Sequence, residues 1–467
     1  MKALALEEVR EAVHGRWLAR GQPATIDAVT TDTRTAGAGQ LFFALRGERM
    51  DGHAFLGRAV EAGCTAAVVA IGAEPGAKLL EAFPGGAIGV PDTTAALGDL
   101  AAFHRRQVGA TVVAVTGSNG KTTVKRMIHH VLGGRLAGSC SPKSFNNAIG
   151  VPLTLLAVRP GDDYVVCELG TNAPGEIAAL AAMARPDVAV ITSVAPAHLE
   201  RLGSLERIAA EKAAILGALA PAGLGVIWAD SDELARAVRA HGRRLVRFGE
   251  SEDADLRLTG FQPLGRRQRF ELNGRLWVDL PLPGRHNALN ALAALAVAQR
   301  FGVPQDAAAG ALADFAGQAM RLEWIDLPDG TVINDAYNAN PASLAAAGDV
   351  LAGCPAGRRV MIVGDMLELG DEAEALHRRA GRDLAAKGID LLVCVGPLGR
   401  YIAQGAAEGG ARVETFADGD AAAAGIATRV CAGDTVLVKG SRGMALERLI
   451  APLRAALGER QRERPNA

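Results

Sequence analysis

A chain of 467 residues with 49% hydrophobic content can bury a substantial core, and the usual size of a folding unit divides it into roughly three domains. Lysine and arginine total 50 against 51 aspartate and glutamate, a formal net charge of -1, so no global field draws the chain onto nucleic acid or anionic lipid, and neither is expected as a partner. The opening MKALALEEVREAV has neither the basic nor the continuous apolar region of an export signal, no later stretch holds about 18 uninterrupted apolar residues, and the six cysteines lie far apart with no C-x-x-C pair. A cytoplasmic protein without membrane insertion is expected, its cysteines mostly small core residues in a reducing compartment.

In chain order, the first segment carries mixed strand and helix signals. Within it, TTDTRTAGAGQLFFALRGERMDGHAFLGRAVEAGCTAAVV sets Thr31, Asp32 and Arg34 beside a second basic, glycine-containing turn that begins at Arg46. Such groups can hold a diphosphate and a uracil, and charged loops of this kind are equally ordinary solvated surface. Around residue 105 the text changes to TVVAVTGSNGKTTVKRMIHHVL, an apolar strand, a glycine turn and a helix. Apolar runs recur at Tyr164 to Cys167, Val188 to Thr192 and Val226 to Trp228 between alanine-rich helical stretches, the alternation of a parallel sheet covered by helices. After an alanine-rich helix over 288–300, a second alternating series begins near Arg321, with strands TVIND, RRVMIVG, LLVCVG, VETF and DTVLVKG and helices over Ala373 to Ala386 and Met444 to Leu457. The expected fold class is therefore α/β in three domains: a mixed α/β domain over 1–105, a central P-loop domain with a mainly parallel sheet over 106–316, and a Rossmann-like domain over 317–467. The closing RQRERPNA is expected to fray.

The run Thr116, Gly117, Ser118, Asn119, Gly120, Lys121, Thr122, Thr123 follows a β-branched strand and opens a helix. In that setting backbone N–H groups and the helix N-terminus surround phosphate oxygens, Lys121 neutralises the β and γ phosphates of ATP, and the Thr122 hydroxyl ligates Mg²⁺. A general P-loop places glycine six positions before the lysine, where this chain has Val115. Two charged reactants must also be brought together by hard cations held on oxygen. Glu168 and His198 each follow a consecutive strand, where ligands of open α/β sheets collect. Asn287 and Asn290 share a helix face and offer amide donors and acceptors suited to adenine, or simply a helix cap. Asp335 ends a strand and can accept from a ribose or an ammonium group, and Lys439 and Arg442 can face phosphate or carboxylate across an interdomain cleft.

The shorter T-G-x-x-G-K-T loop, followed by FNNAIGVPLTLL, CELGTNAPGEI, APAHLERLGS, EKAAI and PGRHNALNALAA, resembles the central domain of the Mur ligases in order and interval. That resemblance implies ATP with two Mg²⁺ ions, bound through Thr122, Glu168 and His198, and a lysine carbamylated by CO₂ that alignment of EKAAI places at Lys212. Ala213 and Ala214 stand where relatives often carry Gly and Glu. It also implies nucleotide contacts from Asn287, Asn290, Arg321 and Asp335, catalytic roles for Lys121, His198 and Lys212, and substrate contacts from Thr31, Asp32, Arg34, Arg46, Asn146, Asn147, Asn338 and Asn340.

The N-terminal segment resembles the UDP-binding domain of the tripeptide-adding and dipeptide-adding members, which folylpolyglutamate synthetases lack. DAYNANP, GDMLELG and VKGSRG resemble the dipeptide-adding members, and the D-N-P-R sequence of the diaminopimelate-adding ones is absent. UDP-N-acetylmuramoyl-tripeptide and D-alanyl-D-alanine are thus the implied substrates, in a monomeric ligase whose domains close on one another. The neighbouring ligase for a single diamino acid and a non-catalytic nucleotide switch are the rival readings.

Overall fold

The computed structural model of the chain describes residues 1–47, 50–73, 75–355 and 357–458; the closing RQRERPNA and two residues of the turn after Arg46 lie outside them. Three sheets carry the architecture. In the first, the strands run in the order Arg16–Arg20, Gly86–Val90, Ala66–Ala70, Gln40–Phe43 and Ala28–Thr30, with only the first pair antiparallel. The strands Ala66–Ala70 and Gly86–Val90 are buried throughout, as expected where helices cover both faces. Asp92 caps the next helix, Thr93–Arg105, by accepting from the amides of Thr94 and Ala95. That helix packs on Gly150–Leu156 and Glu176–Ala184 of the following unit, and one apolar cluster runs from Leu4 to Val238 without a break at residue 105. The first unit is thereby fixed against the second.

The second sheet has nine strands. Its parallel part places Thr111–Thr116 between Tyr164–Glu168 and Val188–Ile191, with Gly138–Cys140 on one flank and Leu224–Trp228 and Leu245–Gly249 on the other. Because Thr111–Thr116 precedes both of its neighbours in sequence, the order reverses there, and the crevice beyond its carboxyl end is where ligands of open α/β sheets bind. The flank then continues as an antiparallel meander, Leu256–Leu264, Arg267–Leu272 and Leu276–Leu280. Sequence reading did not find this meander: its strands alternate polar and apolar residues instead of forming apolar runs. The Asn273-Gly274 hairpin turn, with φ of 55° and 65°, was the available signal.

The third sheet runs Glu323–Leu327, Gly330–Asn334, Asp434–Lys439, Arg359–Gly364, Leu391–Val395 and Val413–Phe416, parallel except for the first pair. The five strands expected from sequence are all present. The single helix expected over Met444 to Leu457 is instead two short 3₁₀ turns and a helix Ile450–Gly458, because Ala445 takes a left-handed backbone (φ 48°) that an α-helix cannot pass through. The helix expected over 288–300 starts earlier, Arg285–Arg300, which brings His286 and Asn287 into it. Among the described residues no helix is long and apolar enough to cross a membrane.

Candidate active site

The phosphate loop is shaped by what packs behind it. A Cβ on Gly117 would lie 1.9 Å from Thr192 Oγ1, and one on Gly120 would lie 2.4 Å from Asn290 Oδ1. Gly120 also has φ 82°, a region other residues enter at a cost of about 1–3 kcal/mol. The close approach of Asn290 follows from packing: the alanine-rich face of Arg285–Arg300 lets that helix lie against Lys121–Gly133. The amide of Ser118 donates to Ser193 O (2.9 Å) and that of Asn119 to Ser193 Oγ (2.9 Å), so these two N–H groups are already used. No side chain caps Lys121–Gly133; the N–H groups of its first turn are the ones left for an anion, as are those of any uncapped helix start. Thr116 and Gly117 stand behind the loop, outside the cavity in front of it. Gly120→Ala is expected to lower affinity for a non-hydrolysable ATP analogue at least tenfold in isothermal titration, and unchanged affinity would show that neither the close approach nor the positive φ matters.

The cavity in front of the loop has a volume of 610 Å³ and lies between the carboxyl edges of the second and third sheets. From the second sheet's side it takes Ser118, Asn119, Gly120, Lys121, Thr122 and Thr123, then Asn146, Asn147, Glu168 and His198, with Asn287 and Asn290 beside Trp228, Leu282 and Phe315. From the third come Arg321, Asp335, Asn338 and Asn340, joined by Tyr337, Lys439 and Arg442.

Several bonds join the second unit to the third. Arg321 Nη2 donates to Thr122 Oγ1 at 3.1 Å and stacks 4.1 Å from the ring centroid of Tyr337. The side-chain amides of Asn119 and Asn340 pair reciprocally at 3.2 and 2.8 Å, while Asn340 also caps Pro341–Ala352. Tyr337 donates to Ser144 Oγ at 2.7 Å, and His198 Nδ1 meets Glu368 Oε2 at 2.5 Å.

Lys121 folds back over the loop and donates to Gly117 O at 2.7 Å. Burial pushes its amino group below the ordinary lysine value, Glu168 pulls it back and Arg321 adds to the depression. Glu168 is buried and fully engaged: Oε2 accepts from Thr122 (2.9 Å) and sits 3.2 Å from the Lys125 ammonium, and Oε1 accepts from Asn146 (3.0 Å). Lys125 is itself buried, so this is an ion pair with little competing water. His198 is held below the usual imidazole value by burial, against the pull of Glu368 and with Lys121 and Lys212 adding to the depression. Asp335 accepts from Lys439 Nζ at 2.6 Å and from the Leu322 amide at 3.1 Å. Asn338 accepts from Lys439 on its carbonyl (2.9 Å) and from the Arg442 amide on its side chain (3.3 Å).

Asn287 donates to Pro283 O and accepts from Asn290, so each amide orients the other on the cavity wall. Asn147 caps the turn into Gly150–Leu156 by accepting from the amides of Ile149 and Gly150.

Lys212 lies just outside the cavity lining, buried, with no hydrogen bond or ion pair to its ammonium among the described residues. Burial, then Lys121, press its pKa down to about 7 although Glu211 is its neighbour. That carboxylate is occupied, accepting from the amides of Gly175 (2.7 Å) and Ile177 (2.8 Å) and from Thr171 Oγ1 (3.3 Å). The remaining expected residues are elsewhere. Thr31, Asp32, Arg34 and Arg46 belong to the first unit and do not reach the cavity. Asp32 holds Arg34 through Nη2 (2.6 Å), Nε and the Arg34 amide, which draw its carboxyl down to about 2; Arg46 pairs with Asp51 at 3.2 Å.

Lys125, Arg126, Tyr337 and Glu368 were not singled out from sequence. Arg126 lines the cavity, donates to Gly317 O and stacks on Phe315. It stands one helical turn beyond Thr122, a spacing that could have found it.

A phosphate-accepting loop facing a second α/β unit across a polar cleft defines a nucleotide-using enzyme. Comparison with known proteins names the family. The Mur ligase middle domain matches residues 115–298, the Mur ligase glutamate ligase domain residues 320–442 and the Mur ligase family catalytic domain residues 25–105. This chain belongs to the Mur ligase family. It is similar to the UDP-N-acetylmuramoyl-tripeptide--D-alanyl-D-alanine ligases of Escherichia coli (38% identity over 97% of this chain and 99% of that protein) and of Bacillus subtilis (38% over 92% and 93%). Among solved structures it resembles MurF from Acinetobacter baumannii (TM-score 0.87, 32% identity, 97% of this chain and 99% of that one). It also resembles the MurF ligase of Thermotoga maritima in complex with ADP (TM-score 0.79, 27% identity, 92% and 97%).

Proposed function

We propose that this chain joins D-alanyl-D-alanine to UDP-N-acetylmuramoyl-tripeptide with consumption of ATP, giving the UDP-muramoyl-pentapeptide of peptidoglycan synthesis, ADP and phosphate. One observation carries the reading: the uncapped helix start behind Gly120 shares a cavity with Arg321, which reaches from the C-terminal unit to Thr122. Near full-length similarity to relatives named for this reaction, one of them a structure with ADP, supports it. In this scheme residues 1–105 bind the UDP part, 106–316 bind ATP, and 317–467 bind nucleotide and the incoming dipeptide. In this reading the chain acts as a monomer in the cytoplasm.

The substrate carboxylate attacks the γ-phosphorus of ATP, the bond to the bridging oxygen breaks, and ADP leaves an acyl phosphate behind. The amine of D-alanyl-D-alanine then attacks the acyl carbon, and the tetrahedral adduct expels phosphate as the amide forms. Lys121 and the helix N-terminus hold the phosphates. Arg321 adds charge from the opposite wall, and its reach across the cavity helps keep water from the acyl phosphate. Asn287 and Asn290, beside Trp228 and Phe315, take the adenine, and Asp335 takes the ribose. Asn146, Asn147, Asn338 and Asn340 line the path of the reacting ends, while Thr31, Asp32, Arg34 and Arg46 hold the UDP, Arg34 exchanging Asp32 for diphosphate.

Thr122 and Glu168, a hydroxyl and a carboxylate 2.9 Å apart at the cavity wall, have the oxygen chemistry that would hold a Mg²⁺. His198 and Lys212 would serve a second ion. When bound, the two ions supply Lewis-acid polarisation and charge neutralisation. Lys212 suits carbamylation because its amine is unpaired and pressed toward the neutral form, and a carbamate would turn its repulsion of Lys121 into attraction.

The test is mass spectrometry of the products formed from UDP-N-acetylmuramoyl-tripeptide and the corresponding UDP-dipeptide, ATP and Mg²⁺ with D-alanyl-D-alanine and meso-diaminopimelate in competition. The pentapeptide alone is expected. A diaminopimelate adduct on the UDP-dipeptide would favour the neighbouring ligase, and no amide product with any acceptor would make the chain a nucleotide switch.

A further inference from the structure

One contact across the cleft has no role in the scheme above. His198 Nδ1 and Glu368 Oε2 are 2.5 Å apart although 170 positions separate them, and the Glu200 amide donates to Glu368 O at 3.2 Å. Both residues have left-handed backbones, φ 57° at His198 and 64° at Glu368, a conformation that side-chain-bearing residues keep only where the surroundings impose it. Two such residues face one another across the boundary between units. The loop behind Glu368 is firmly built: the Met366 amide donates to His377 Nε2 at 2.9 Å, His377 Nδ1 donates to Ala373 O at 2.6 Å, and the Leu367 amide donates to Ser441 Oγ at 2.8 Å. A carboxylate has no proton to give, so in this contact Nδ1 of His198 is the donor. The neutral ring then carries its lone pair on Nε2.

We propose that Glu368 is a positioning residue which, on closure of the C-terminal unit, accepts a hydrogen bond from the Nδ1–H of His198 and thereby selects the tautomer and ring orientation in which Nε2 is free to accept or ligate. This rests on the reading of His198 as a working residue of the ligase site. A histidine ligand whose second nitrogen is held by a carboxylate is a common way to fix ring orientation and raise basicity. Here the carboxylate belongs to the other unit, so His198 is competent only when the cleft is closed. An exposed ion pair with no such role would contribute little to anything measurable, and that difference makes the assignment testable.

The experiment combines ¹⁵N NMR of the histidine rings in the full chain, with His198→Asn for assignment, and steady-state kinetics. The unmodified chain is expected to show His198 protonated on Nδ1, and Glu368→Ala to shift it toward the Nε2-protonated tautomer. Glu368→Ala should also lower kcat about 10- to 100-fold with KM for ATP and for the UDP substrate nearly unchanged. Glu368→Gln, whose amide oxygen still accepts from Nδ1, should recover most of the rate, and Glu368→Ala should add no further loss in a His198→Ala background. An unchanged tautomer, an unchanged kcat, or additive losses in the double variant would each overturn the proposal. Absence of D-alanyl-D-alanine ligation by the unmodified chain would instead sink the function, leaving the tautomer result readable by itself.

Discussion

Lys121→Ala is expected to lower the rate of ADP formation by on the order of 10³-fold, the range seen when a preorganised donor to developing charge is removed, while leaving the chain folded. The two halves of the expectation come from one geometry. Lys121 donates only to the carbonyls of Gly117 and Ser118 and is half-buried at the cavity wall with its amino group pushed down by desolvation, so alanine removes a partly desolvated cation and breaks no ion pair. Arginine should not rescue, because its planar fork cannot sit as a compact charge in the same space. Far-UV circular dichroism and the melting temperature should match the unmodified chain, and coupled detection of ADP should show almost none. Normal ADP release from a folded Lys121→Ala variant would remove the phosphate loop from the mechanism.

Lys212→Met is expected to raise stability and destroy activity together. The amino group stands at about 7 in the folded chain against an ordinary 10.5, chiefly from burial and then from Lys121. A lysine whose folded value is depressed opposes folding. The penalty is complete below about pH 7, where the folded state must hold the charge, and it fades as pH rises from 7 to 10.5, where the folded state is already neutral and the unfolded state still binds the proton. In CO₂-depleted buffer, methionine should therefore raise the melting temperature of the affected transition by a few degrees at pH 6 and by clearly less at pH 9.5. Turnover should fall at least 100-fold at both values, since a thioether can carry neither a carbamate nor a charge. Equal melting shifts at the two pH values would show that Lys212 is not a buried, unpaired cation. Retained turnover would end its role in the reaction.

The two variants separate what sequence reading could reach from what it could not. TGSNGKTT was legible because its chemistry is local: strand, glycines, lysine and hydroxyls within one turn of chain make an anion site wherever they fold. Glu168 and His198 were legible because each follows an apolar strand, and strand ends collect at one edge of a parallel sheet. The parallel strands themselves announced their burial through unbroken apolar runs. The antiparallel meander over 256–280 did not, because half of its residues face water.

Chain alone thus determined the α/β class, the phosphate loop, the acidic and histidine candidates at the strand ends and the family. Tertiary structure alone decided that Asn290 presses on Gly120, that Lys125 neutralises Glu168, that Glu211 is spent on a helix start and leaves Lys212 unpaired, and that Glu368 meets His198. Each of these depends on which side chains packing brings within about 3 Å, where burial makes a charge or hydrogen bond strong. Spacing along the chain carries no record of that distance once the partners lie on different elements.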